Sequence, residues 1–297
     1  MHVSKKIKQS FVKSYCIEKV YYKDRLYNST VKYLKKQKHL KSSKVLFLFN
    51  SFINKKYPIC YILTFKNKVV GFVGTIFSKK IYSEKKFLNC NIHSWMVDQS
   101  HRTVSSLLFK KIKEKNSLIT VLSSLPTLSK TFINLGFKKL IIKYKLVFIK
   151  KILNKQISPN FYISCDKILI KKVLSKPLKR ILEDYSNTEY EKFIFTKNKS
   201  RENCFILAKK TYKKKIFKTL NLIYCSNPSF LKNNIINFYK IIEKTFNVSL
   251  CGEFYMKKNE SLFNKNIGLS FIRNKHIYLN IIPKNFKFDL LYSEVDF

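Results

Sequence analysis

Between Asn89 and Leu140 the spacing of apolar residues changes period twice, and that change restricts the chain more than any other feature. Cys90 to Val97 alternates apolar and polar residues as a half-buried strand does, then meets the polar turn Asp98-Gln99-Ser100-His101-Arg102. From Val104 the period lengthens. Val104, Leu107, Leu108 and Ile112 recur at helical spacing, with Lys110, Lys111, Lys113 and Glu114 on the other side. Leu118 to Leu122 is again a compact apolar run. Pro126 permits a helix starting near Thr127, and Gly136 stops it. Strand, turn, helix, strand and short helix in this order predict an α/β (α+β) domain built on a mixed sheet flanked by helices. At the entrance of the first helix, unpaired backbone N–H groups and the positive end of the helix dipole can hold a phosphate.

The rest of the chain extends this plan in both directions. Tyr61 to Phe65, the turn Lys66-Asn67-Lys68 and Val69 to Phe77 read as a hairpin, with Gly71 and Gly74 suited to a bulge or close strand packing. Val45 to Phe49 is a buried element of undecided type. Phe137 to Lys150 is a long basic strand or hairpin, and 154–160, with Pro159, reads as a linker. Beyond it, Ile168 to Tyr185 reads as helices broken at Pro177. Phe193 to Phe195, Cys204 to Tyr212 and Ile216 to Cys225 read as strands, Asn227-Pro228 starts a helix reaching about Phe246, and Val248 to Met256 is another strand. The expected domains are 1–153 and 161–297.

This order resembles the GNAT superfamily of acyl-coenzyme A-dependent N-acyltransferases over about Tyr57 to Leu146, and the second half looks like a degenerate repeat of it. The fold class expected is therefore two tandem GNAT-like domains. The resemblance implies transfer of an acyl group, such as acetyl, from acyl-CoA to an amine or, less often, a hydroxyl. It places the pyrophosphate cradle at Val97, Arg102, Thr103, Val104, Ser105, Ser106 and Leu107, the segment where the family carries Arg/Gln-x-x-Gly-x-Gly/Ala. Ser105 and Leu107 stand at the usual glycines. Phe132 stands where many members place a tyrosine that protonates the departing thiolate.

His93 is the general-base candidate, because imidazole titrates near neutral pH. In regular pleating His93, Asn91 and Trp95 share one face, which makes Asn91 and Trp95 candidates for the acceptor pocket. Glu84 and His101 are weaker candidates for the acceptor pocket and a phosphate contact. No metal site is expected.

Sixty Lys+Arg against 17 Asp+Glu give a net charge of +43. Nearly all of it is lysine; the arginines are Arg25, Arg102, Arg180, Arg201 and Arg273. Specific reading of bases favours the planar guanidinium fork, so the lysine surface points to general attraction of anions rather than to a dedicated nucleic-acid reader. CoA, anionic sugars and anionic lipid headgroups fit that description. Hydrophobic residues at 45% exclude a wholly disordered chain. The seven dispersed cysteines suit a reducing compartment, no apolar run approaches the ~18 residues of a membrane span, and the expected location is the cytoplasm. Two alternatives remain beside the acyltransferase: a GNAT-fold binding module without catalysis, and non-specific nucleic-acid binding through lysine.

Overall fold

A computed structural model describes residues 14–37, 56–82, 85–113, 118–122, 126–149, 158–186, 188–198, 202–213, 216–256, 261–263, 269–284, 286 and 291. Val45 to Phe49, Glu84 and most of the expected 154–160 linker lie outside them. Within the described residues the chain forms two compact units. One runs to Leu140 and takes in the chain again from His276; the other runs from Ile141 to Lys275. The expected boundary at 154–160 therefore falls within the span of the second unit.

In the first unit β1 (Tyr15–Val20), β2 (Cys60–Phe65), β3 (Lys68–Tyr82) and β4 (Lys85–Val97) pair antiparallel in that order, and β4 pairs parallel with β5 (Leu118–Val121). The β2–β3 hairpin closes on Lys66 and Asn67, both at positive φ, the two-residue turn whose twist matches that of the strands. A parallel neighbour needs a crossover, and α2 (Ser106–Lys113) supplies it. The other helices of this unit are α1 (Tyr27–Lys35) and α3 (Ser129–Asn134). Gly136, at φ 79°, ends α3 as expected: its N–H returns to the Ile133 carbonyl and that of Phe137 to Phe132. Leu108, Phe109 and Ile112 of α2 and Phe132 of α3 bury their side chains with Cys90, Ile92, Ile119 and Val121 of the sheet. The sixth strand of this unit comes from the far end of the chain. The last residues of β12 (Ser270–Leu279) pair antiparallel with β5, Tyr278 opposite Val121 and Leu279 opposite Thr120.

The second unit repeats the plan. β7 (Phe161–Ser164), β8 (Glu191–Lys197), β9 (Asn203–Lys213) and β10 (Phe217–Cys225) pair antiparallel, and β10 pairs parallel with β11 (Leu250–Tyr255). The crossover is α6 (Pro228–Asn233) and α7 (Ile235–Phe246), two helices parted at Asn234 where the sequence predicts one. Asn227 caps the first through Phe230 N–H at 3.1 Å. Between β7 and β8 lie α4 (Lys167–Val173) and α5 (Lys176–Asp184), with Pro177 in the first turn of α5. The sixth strand here is β6 (Lys138–Phe148), antiparallel to β11 from Lys143 opposite Tyr255 to Phe148 opposite Leu250. Each unit is thus completed by a strand from the other half of the sequence, and that is why the units part near Leu140. No helix of the described residues is long and apolar enough to cross a membrane.

Candidate functional site

The site is built on an irregularity in β4. Its pairing with β3 runs evenly to His93 opposite Gly74 and resumes at Met96 opposite Phe72, so Ser94 and Trp95 together face Val73 alone. Ser94 takes up the extra residue at φ 50°. On its other edge β4 pairs with β5 from Asn89 opposite Leu118 to Ile92 opposite Val121, and the ladder stops there. β4 itself continues to Val97. The bulge and the end of the parallel ladder therefore coincide, leaving the β4 edge from His93 onward without β5 beside it.

The bulge also corrects an expectation. His93, Asn91 and Trp95 do not share a face. Cys90 and Ile92 point to the side covered by α2 and α3, and Asn91 and His93 to the other. The extra residue then returns Trp95 to the α2–α3 side, where its ring lies 4.6 Å from Phe109 and 6.0 Å from Phe132.

His93 is buried against Gly74, with Nδ1 3.2 Å from Ser94 Oγ. Among the described residues Nε2 has no partner. Burial lowers its pKa from 6.5 to about 3. The imidazole is neutral at physiological pH, but it is a far weaker base than the sequence suggests. Asn91 is wholly buried and accepts a hydrogen bond from Thr120 Oγ1 at 3.1 Å, which also bonds Asn89. These polar groups tie β4 to β5 where the two strands are paired.

After Val97 the chain turns on Asp98. Its N–H reaches the Val70 carbonyl, and its carboxylate accepts the Tyr33 hydroxyl at 3.1 Å. Burial and that carboxylate push the Tyr33 phenol well above its usual range. Gln99 to Val104 then winds as a 3-10 turn, where the sequence reading has an open polar turn and a helix from Val104. His101 is held by Tyr15, Nδ1 to hydroxyl 2.8 Å, so it serves the turn rather than facing outward as a phosphate ligand. Ser105 spends both its N–H and its hydroxyl on the Arg102 carbonyl. Within the segment Arg102 to Leu107, where a cradle was expected, the Ser105 N–H is therefore already taken. Ser106 and Leu107 open α2, and among the described residues no carbonyl takes their N–H groups. Arg102 and Thr103 are exposed beside them, Val104 and Leu107 are half-buried, and no acidic residue stands in the first turn of α2. Val97 supports this turn from the end of β4, opposite Gly71.

Phe132 is buried in a cluster of rings, 5.8 Å from Phe109, 5.7 Å from Phe137 and 5.0 Å from Tyr278. Tyr278 was not singled out in the sequence. It is wholly buried, stacks on Phe132, and among the described residues its hydroxyl has no partner. Ile277-Tyr278-Leu279 is a short apolar run that ends β12, all three residues buried, and nothing local tells which strand it joins.

In the second unit β10 has a bulge at Ile223, two residues beyond the last residue paired with β11, Asn221; Ser94 stands likewise two residues beyond Ile92. There the polar groups are closed on each other. Tyr144 donates to Asn221 Oδ1 at 2.5 Å, Asn221 donates to Thr211, and a Cβ on Gly252 would lie 2.3 Å from that same Oδ1.

The fold that carries this arrangement, a bulged strand parting from a short parallel neighbour with a crossover helix at the end of the opening, is that of solved GCN5-related N-acetyltransferases. The chain is similar to one from Anabaena variabilis ATCC 29413, with a TM-score of 0.62 at 10% identity over 89% of this chain and 72% of that one. It is similar to another from Kribbella flavida, with a TM-score of 0.59 at 9% identity over 89% and 70%. It is also similar to Saccharomyces cerevisiae N-myristoyltransferase with bound myristoyl-CoA, with a TM-score of 0.53 at 12% identity over 92% and 79%. No protein-family model and no curated protein sequence matches the chain.

Proposed function

We propose that the protein transfers an acyl group from acyl-CoA to an amine, at the opening between β4 and β5. The observation that carries this is the coincidence, within a GNAT fold, of the Ser94 bulge with the end of the β4–β5 ladder. The freed backbone of β4 supplies N–H and C=O groups that an extended pantetheine chain can match as a strand would. The N–H groups of Ser106 and Leu107, the dipole of α2 and the exposed Arg102 guanidinium offer the pyrophosphate donors and positive charge. Most of the rate gain in such a reaction comes from holding thioester and amine together. The net charge of +43 favours an anionic acceptor, and we assign an amine on a sugar or cell-surface precursor. The cysteine content suits action in the cytoplasm.

A second reading is favoured by two side chains. Phe132 has no proton to donate and His93 is a weak base, which is what a binding module that keeps the cofactor and not the chemistry would have. Calorimetric titration with acetyl-CoA in moderate salt tests both. Saturable one-site binding is expected, and its absence would overturn both readings. Release of free thiol from acetyl-CoA in the presence of a panel of amines separates transfer from binding alone.

A further inference from the structure

On the α2–α3 side of the first unit, among the described residues, two side-chain hydrogen-bond donors are buried and unused. Trp95 Nε1 and the Tyr278 hydroxyl are shielded from solvent, and among the described residues neither has an acceptor. Burying such a donor without a partner costs on the order of 1–3 kcal/mol, so folded chains rarely leave one idle, and here there are two against the same residue. Both rings contact Phe132, Tyr278 at 5.0 Å and Trp95 at 6.0 Å. Both lie on the α2–α3 side of the sheet, at the place where β4 and β5 part. Ile92, Val121 and Tyr278 form one row across β4, β5 and β12, and Ile92 is the last β4 residue before the bulge that turns Trp95 to this side.

We propose that Tyr278 and Trp95 are the specificity-determining donors for the acyl carbonyl oxygen of the bound thioester. The inference rests on the acyl-CoA reading and goes beyond it by naming what recognises the acyl group. A carbonyl oxygen has two lone pairs and can accept from two donors at once, whereas a thioester sulfur is a weak acceptor. Phe132, which both rings contact, cannot compete for that oxygen because it carries no polar atom. The arrangement accounts for a tyrosine at 278 where phenylalanine would fill the same core without an unpaired hydroxyl.

The test uses the intact chain with acetyl-CoA and free CoA as probes, in wild type, Tyr278→Phe and Trp95→Phe. Trp95 is the only tryptophan, so its emission reports occupancy of this opening directly in the first two proteins. Calorimetry serves for all three. Each variant is expected to bind acetyl-CoA about 3–10-fold more weakly and free CoA unchanged, as loss of one neutral hydrogen bond predicts. The unliganded Tyr278→Phe protein is expected to melt at the same temperature as wild type or higher, because its idle hydroxyl is gone. Equal weakening toward both probes, no weakening toward either, or a lowered melting temperature would overturn the proposal and leave the acyl-CoA reading standing. Failure of wild type to bind either probe would remove both.

Discussion

The imidazole of His93 lies so close over Gly74 that a Cβ there would stand 2.1 Å from its Cε1. Backbone and ring are thus complementary across the β3–β4 pair, one residue before the bulge at Ser94. Gly74→Ala is expected to destabilise the protein by about 1–3 kcal/mol through overpacking. Combining it with His93→Ala should recover part of that loss, a non-additivity that urea titration of the two single variants and the double variant would measure.

The same burial makes His93 a source of acid sensitivity. Its pKa falls from 6.5 to about 3 in the folded chain, so between these values the unfolded chain binds a proton that the folded one refuses. The contribution is fully present above pH 6.5 and is lost as the pH falls toward 3, by about 1.4 kcal/mol per pH unit at most. Unfolding midpoints measured from pH 7 to pH 4 should fall less steeply in His93→Leu than in wild type. Parallel slopes would show that the imidazole is not held neutral.

Phe132 joins the ring cluster of Trp95, Phe109, Phe137 and Tyr278. Phe132→Ala removes the residue on which both helix and sheet sides of that cluster close, and about 3–5 kcal/mol of stability is expected to go with it. Trp95 emission should shift to the red before global unfolding, since its ring loses a neighbour. An unchanged spectrum and midpoint would mean that the cluster repacks.

Arg102 is exposed at the end of the 3-10 turn, next to the opening N–H groups of α2. Arg102→Ala is expected to weaken acetyl-CoA binding about 3–10-fold at low salt, and less as salt is raised, because an exposed charge is screened. Lys171→Ala, an exposed lysine of the second unit, is the control and should have no such effect. Identical losses in the two variants would assign the attraction to net charge alone.

Much of the fold was legible because it is written in short-range patterns. The β2–β3 hairpin, β4, β5, the stop at Gly136, the break at Pro177 and the start at Pro228 each depend on residues within a few positions of one another. The local placement of the candidate phosphate segment was legible for the same reason: Arg102 lies in the turn after a strand, and Ser106 and Leu107 open the helix that follows. The arrangement of Asn91, His93 and Trp95 was not. Their shared face assumed unbroken alternation, and a single extra residue at Ser94 reverses it, which only the register against β3 reveals.

The sequence by itself determined the order of most elements from β2 to β11, the two similar halves and the lysine-dominated charge, since periodicity and composition are local or additive quantities. Tertiary structure decided which strands complete which unit. β6 joins the second unit and the end of β12 the first, and that exchange brings Tyr278 against Phe132. Strand pairing depends on backbone hydrogen bonds that are the same for every residue type, so alternation marks a strand without naming its neighbour. The partner is selected by the cores on either face, and those exist only once the chain has folded.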